Sequence, residues 1–419
     1  MMIEFQVTNF RSLKDTQTLS MVSSSDKEHR ETNVITQLPE YPLLSSAVVF
    51  GANASGKSNL IQAILTMRNI VMMSAKETIA EEKFGLEPFI FSAKERSLPT
   101  RFEITFILDK TRYQYGFSVT KLLVFEEWLI FYPNNRPSLL FERSRINDRY
   151  QWKFGSALKG EKNRLAAFTR PNSLFLSSGA NLNNPQLIMV FNWFKNCLRF
   201  LLSQGHPEPT ISFFEKSDTA KETIISLMQD ADFGIEDIQI EKRPLSPEKD
   251  FPKGVPPEIR HLLQPQKGAV EIVEIYSFHK EIDSEKKIPI DLARESLGTQ
   301  RYFCLLGPFL DVLSNGYTLF MDELEQSLHP ILAQKVMQMF HDPKTNTNGA
   351  QLIFTTHNTT LLDSKNLRRD QVWFMEKDRG SASHLYSLLE YKPRKTEALQ
   401  KGYLEGRYGA IPMLGDFKI

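Results

Sequence analysis

The residues of this chain best placed to do chemistry lie in the run Val48-Val49-Phe50-Gly51-Ala52-Asn53-Ala54-Ser55-Gly56-Lys57-Ser58, which fits G-x-x-x-x-G-K-[ST] from Gly51 to Ser58. An apolar run suited to a buried strand precedes it, and the helical pattern Leu60, Ile61, Ile64, Leu65 follows. Glycines at Gly51 and Gly56 let the backbone take turns closed to other residues, so that successive N–H groups and a helix N-terminus face one anion. The spacing predicts a phosphate cradle from Gly51, Asn53, Ser55, Gly56 and Asn59. Lys57 would lie on the β- and γ-phosphates of ATP and take part in catalysis, with the Ser58 hydroxyl on Mg²⁺.

Farther along, Tyr317-Thr318-Leu319-Phe320-Met321-Asp322-Glu323 is an apolar strand pattern ending in two carboxylates. Asp322 is expected to hold Mg²⁺, and Glu323 to act as general base on the attacking water. A plain reading of the pair, as caps of the next helix, is weaker once the phosphate loop is granted. Gln351-Leu352-Ile353-Phe354-Thr355-Thr356 reads as a further strand, closed by His357, a candidate catalytic side chain. Between the two halves, Ser296-Leu297-Gly298-Thr299-Gln300 precedes the apolar helical run Tyr302, Phe303, Leu305, Leu306. The Ser296 hydroxyl and the amides near Gly298 and Thr299 could bind a phosphate, although an ordinary helix cap has the same appearance.

These groups need strands to hold them. Ile3 to Val7 alternates as a strand and runs into the turn Asn9-Phe10-Arg11-Ser12. Residues 15–42 are polar and read as a loop or ragged hairpin, whereas 58–76 read as one helix. Alternation over Phe102, Ile104, Phe106 and again over Tyr113, Tyr115, Phe117, Val119 predicts an antiparallel β-lobe, with Gln114 facing outward. From 122 to 290 no motif appears. Asn184 to Leu202 and Thr219 to Met228 look helical, Pro244 to Pro265 is broken by prolines, and no heptads are sustained. The expected organisation is a split α/β head, residues 1–121 and 291–419, around a mostly helical insertion at 122–290. Basic runs in that insertion (Arg143, Arg145, Arg149 and 159–170) read as solvated faces, and Asp230 with Asp232 as a helix end before Gly234.

Composition narrows the classes. A formal net charge of +1 with 24% charged residues gives no global field for nucleic acid or anionic membrane. Two cysteines, Cys197 and Cys304, make neither a disulfide framework nor a cysteine zinc site. Residues 1–10 lack a signal-peptide pattern, and nowhere do about 18 apolar residues run together. A cytoplasmic protein with no membrane partner is expected.

Together the motifs resemble an ABC-type ATPase head. The Asn9-Phe10-Arg11-Ser12 opening is similar to the turn of SMC- and RecF-type heads, which implies a place for Arg11 near the nucleotide. Glu295 to Gln300 resembles a degenerate ABC signature, with Glu295 and Leu297 departing from the pattern, and Leu324 to Pro330 resembles the D-loop. No counterpart of the ABC glutamine loop is found, since Gln114 sits inside a strand pattern. With Lys401-Gly402-Tyr403-Leu404-Glu405-Gly406-Arg407-Tyr408-Gly409-Ala410-Ile411-Pro412, the chain resembles the bacterial AAA/ABC-hybrid ATPases of phage-defence and abortive-infection loci, RloA-, AbiL- and AriA-like. That resemblance implies a mostly parallel sheet and an assembly of two or more copies in which one copy's signature turn covers the other's ATP. It further implies a separately encoded effector, a toxin or nuclease, and a phage-protein trigger or DNA. A DNA-binding repair ATPase of RecF type is the competing reading. A transporter subunit is disfavoured by the irregular signature, a nuclease of OLD type by the roughly sixty residues left after His357, and an inert scaffold by the presence of Lys57, Asp322 and Glu323.

Overall fold

The computed structural model describes residues 1–37, 40–76, 84–202, 205–244, 271–394 and 397–412. Strands Ser46–Phe50, Thr318–Met321 and Gln351–Thr355 are mostly apolar and buried at every position, as strands covered on both faces must be. They belong to a six-stranded sheet ordered Leu198–Leu201, Thr318–Met321, Gln351–Thr355, Ser46–Phe50, Val372–Lys377, Ser383–Ser387. The first five run parallel, and only the last is antiparallel. The register sets Met321 beside Phe354 and Phe354 beside Val48. Parallel strands in this register bring the segments after Phe50, Met321 and Thr355 to one edge of the sheet, where open α/β folds bind ligands.

Helix Lys57–Met73 leaves the first of these ends and buries Leu60, Ile61, Ile64, Met67 and Val71, at helical spacing. Its apolar side joins one core that takes Val49, Phe320 and Ile353 from the parallel sheet and Phe102, Ile104, Phe106 and Phe117 from an antiparallel one. Each such side chain contributes roughly 1.5–3 kcal/mol by leaving water. The antiparallel sheet has seven strands: Arg149–Phe154, Ser138–Ile146, Val124–Tyr132, Thr111–Val119, Thr100–Leu108, Met2–Thr8 and Gln17–Ser20. Its alternation is interrupted by one buried ion pair, Arg143 Nε to Glu127 at 3.0 Å, both side chains fully inaccessible. Glu127 also accepts the Phe175 and Leu176 amides and the Tyr115 hydroxyl, so the chain after Ser173 is pinned to the sheet.

Two compact units result, residues 1–203 with 312–419 and residues 204–311. Within the second, strands Ile235–Pro244, Glu271–Lys280 and Lys287–Asp291 form an antiparallel sheet. Helix Asp218–Asp230 buries Ala220, Ile224 and Met228. The expectation of a mostly helical insertion over 122–290 is corrected by this secondary structure. Residues 124–154 continue the antiparallel sheet of the first unit, because each new hairpin adds hydrogen bonds and a buried aromatic face to an existing edge. The signature stretch, grouped above with the C-terminal half, falls in the second unit. The helix read over 184–202 ends at Cys197, after an Asn184 cap and Pro185 at its start; Leu198–Leu201 is instead the edge strand beside Thr318–Met321. Asp230 does end a helix, and Asp232 and Gly234 follow in left-handed conformations. Most of the proline-rich stretch, 245–265, lies outside the described residues. Among the described residues, no helix is long and apolar enough to cross a membrane.

Candidate nucleotide site

The loop after Ser46–Phe50 has the backbone that its glycines were expected to allow. Gly56 has φ 112°, and a Cβ there would fall 2.3 Å from Ser383 Oγ and 2.9 Å from Ser12 Oγ. At Gly51 a Cβ would fall 2.3 Å from the Met375 carbonyl oxygen. The loop is therefore held against its neighbours by backbone approach that any side chain would block. Ser383 Oγ donates to the Ser55 carbonyl at 2.6 Å and lies 2.7 Å from Ser12 Oγ, and Asn59 Nδ2 donates to Ser12 Oγ at 2.7 Å. Three distant segments thus grip the outside of the loop. Ser55 Oγ is buried with no hydrogen-bond partner, while Asn53 and Ser58 are exposed. An orphaned hydroxyl and a cradle of glycines fit an anion that supplies the missing partner.

Lys57 is 4% exposed, and its ammonium donates to the Gly51 and Ala52 carbonyls at 2.8 and 3.0 Å. Burial pushes its pKa down to about 8, against the pull of Asp322, Glu323 and Glu325. A phosphate would replace those carbonyls as the acceptor of its charge.

The two carboxylates stand at the end of Thr318–Met321, separated from the phosphate-loop strand by Gln351–Thr355. Thr355 Oγ1 donates to Asp322 Oδ1 at 2.5 Å and accepts the Glu323 amide at 3.0 Å, so one buried hydroxyl fixes both residues. Glu323 has φ 53°, a left-handed conformation that costs a non-glycine residue on the order of 1 kcal/mol or more. Its side chain is about half exposed, open to a water molecule. His357 Nε2 lies 3.9 Å from Glu323 Oε1. Burial, then the Lys57 charge, lowers the His357 pKa from its ordinary value, so the ring is neutral at pH 7 and acts as a dipole rather than a cation. Glu325, in the D-loop-like stretch but not among the expected site residues, accepts Thr356 Oγ1 at 2.7 Å and the His357 amide at 2.6 Å.

The structure thus gathers Gly51 to Asn59, Asp322, Glu323 and His357 in the first unit. Mg²⁺ would find the Ser58 hydroxyl and the Asp322 carboxylate, with phosphate and water completing its shell. No cluster of three or more His, Cys, Asp or Glu side chains able to hold a metal occurs among the described residues. Arg11, itself at φ 49°, pairs with Glu87 at 3.0 Å; Ser12, one residue on, is the member of that turn which touches the loop. Ser296, Gly298 and Thr299 belong to the second unit. There Ser296 Oγ accepts the Thr299 amide at 3.1 Å and lies 2.8 Å from its hydroxyl, the geometry of a helix cap, at the start of helix Leu297–Asn315. Gln114 bonds to Glu103 and Tyr132 on the antiparallel sheet, as an outward strand residue does. Sequence reasoning missed Ser383, which carries no motif, and gave no role to Ser12 or Glu325, although both lie in stretches that resemble family motifs.

Residues 46–363 match the family described as "AAA domain, putative AbiEii toxin, Type IV TA system". No curated protein is significantly similar in sequence. Among solved structures, the chain is similar to the SMC head domain from Thermotoga maritima, at 12% identity over 92% of this chain and 98% of that one, with a TM-score of 0.40. It is also similar to the SmcHead bound to the C-winged helix domain of ScpA, at 12% identity over 92% and 97%, with a TM-score of 0.42. A third likeness is to cbiO1 from Clostridium perfringens, part of the ABC transporter complex cbiONQ, at 11% identity over 98% of both chains, with a TM-score of 0.35.

Proposed function

The chain belongs to this AAA-domain family, and from that footing we propose that it binds and hydrolyses ATP as the sensor and scaffold subunit of an anti-phage defence system, sequestering or activating a separately encoded toxin or nuclease. The observation that carries the ATPase reading is the meeting of Lys57, Asp322, Glu323 and His357 at the carboxyl ends of adjacent parallel strands. In this reading Lys57 leaves its two carbonyls for the β- and γ-phosphates, and the Gly51–Ser58 amides orient them. Asp322, held by Thr355, and Ser58 hold the magnesium ion, which would neutralise phosphate charge. Glu323 takes the proton of the attacking water, and neutral His357 steadies the water and the γ-phosphate. Ser296, Gly298 and Thr299 cover the ATP of a second copy, so two copies complete two sites. ATP favours the closed pair, and hydrolysis releases it. The type IV toxin–antitoxin wording of the family description supports the effector part of the proposal.

The test is the solution mass of the Glu323→Gln protein with and without Mg-ATP, alone and after co-expression with the product of the adjacent gene. An ATP-dependent complex that carries the neighbour is expected. Closure into a dimer only when DNA is added, with no neighbour bound, would replace the defence scaffold by a repair-type ATPase.

A further inference from the structure

Glu325 lies two residues beyond the candidate base, in a segment that turns sharply. Glu323 at φ 53° and Ser327 at φ 61° both adopt left-handed conformations, which fixes the path between them. From this turn Glu325 reaches across to the next strand end. Its Oε1 accepts the His357 amide at 2.6 Å and its Oε2 accepts the Thr356 hydroxyl at 2.7 Å. Both bonds are short and charge-assisted, and one carboxylate takes donors from two successive residues, which fixes their rotation as well as their distance. On the other side, Thr355 donates to Asp322 and accepts the Glu323 amide. The Leu324 amide adds a bond to the Thr355 carbonyl at 3.2 Å. Residues 322–325 and 355–357 are therefore cross-linked in both directions, and the Thr356 amide ties the pair to Val49 of the phosphate-loop strand at 3.1 Å.

The amide of exposed His357 could be satisfied by water, and the hydroxyl of buried Thr356 by a neutral side chain. Instead the chain uses a third carboxylate, one whose charge acts with those of Asp322 and Glu323 on the Lys57 ammonium. What its two bonds accomplish is the placement of His357.

We propose that Glu325 is a positioning residue of the nucleotide site: it clamps the 356–357 backbone so that the His357 ring stays beside Glu323 and the two strand ends move as one body. It touches neither nucleotide nor water; it acts through His357. The inference rests on the ATPase reading above.

The test compares Glu325→Ala, Glu325→Gln, His357→Ala and the double variant Glu325→Ala/His357→Ala. Glu325→Ala should lower kcat about 10- to 100-fold, the scale of a misplaced catalytic group, while nucleotide Kd changes by less than about threefold. In the double variant kcat should fall no further than in His357→Ala alone, since a residue acting through His357 has nothing left to place. Glu325→Gln keeps the shape and one acceptor oxygen and should recover part of the loss; it also supplies the comparison if the alanine variant folds poorly. Hydrogen exchange of a peptide covering 353–360, measured without nucleotide, should speed up in Glu325→Ala. Unchanged kcat, losses that multiply in the double variant, or unchanged exchange would each overturn the proposal. If the wild-type protein hydrolyses no ATP, the ATPase reading falls, and the exchange experiment still decides whether Glu325 holds the 356–357 backbone.

Discussion

The Lys57 ammonium is poised to make nucleotide affinity depend on pH in a range where little else near it titrates. Burial lowers its pKa to about 8, and a bound triphosphate would restore the charged form. The sign follows from which form the ligand selects. Below pH 8 the lysine already carries its proton and affinity is full; above pH 8 the free protein has lost it, and binding must take a proton up. With only the charged form competent, the fraction available falls from about 0.9 at pH 7 to about 0.1 at pH 9, so affinity should fall about tenfold, or roughly 1.4 kcal/mol. His357 is shifted down and both cysteine thiols are shifted up, so none of them mimics this profile. Phosphate groups, with a second pKa of about 6, are ionised throughout. Calorimetry of a non-hydrolysable ATP analogue in two buffers of different ionisation enthalpy reads both the affinity and the proton uptake. Uptake of close to one proton at pH 9 is expected. In Lys57→Arg, whose guanidinium stays charged, the uptake should vanish even if affinity drops. Flat affinity from pH 7 to 9 in the wild-type protein, without proton uptake, would refute the reasoning.

Three further outcomes follow from the geometry. Gly56→Ala would set a methyl group 2.3 Å from Ser383 Oγ at a φ of 112°, so nucleotide affinity should fall by about tenfold or more, and adding Ser383→Gly should recover part of it in a fluorescent-nucleotide titration. His357→Ala should lower kcat while leaving Kd within about threefold, and a matching rise in Kd would make the ring a binding group instead. Arg143→Ala leaves the Glu127 carboxylate buried without its cation; denaturant unfolding should show a loss of about 3–5 kcal/mol, and a loss below about 1 kcal/mol would mean that the Phe175 and Leu176 amides suffice.

The sequence made the parallel-sheet side of the molecule readable because its chemistry is local. Gly51–Ser58, Met321–Glu323 and Thr355–His357 each combine a short apolar strand with its functional residues in consecutive positions, so the fold had only to bring strand ends together. The antiparallel extension over 124–154 was missed for the opposite reason. Val124–Tyr132 mixes apolar, acidic and aromatic residues, and Glu127 with Arg143 puts charges on the buried face, which breaks the period-two signal. Leu198–Leu201 is four residues long, and a run that short reads equally as the last turn of the helix before it. Ser12, Ser383 and Glu325 act across separations that no local pattern encodes: Ser383 meets Ser12 from 371 residues away. For Ser12 and Ser383 the signal lay in Gly56 of the phosphate loop, which announces a close neighbour without naming it.

The account stands most directly on hydrolysis at Glu323. Magnesium-dependent phosphate release from ATP should be measured for the wild-type protein and Glu323→Gln, with nucleotide binding followed on the same samples. The wild-type protein should turn over, and the variant should bind equally well but release phosphate at least about 100-fold more slowly. Equal rates in the two proteins, or no nucleotide bound by either, would contradict it.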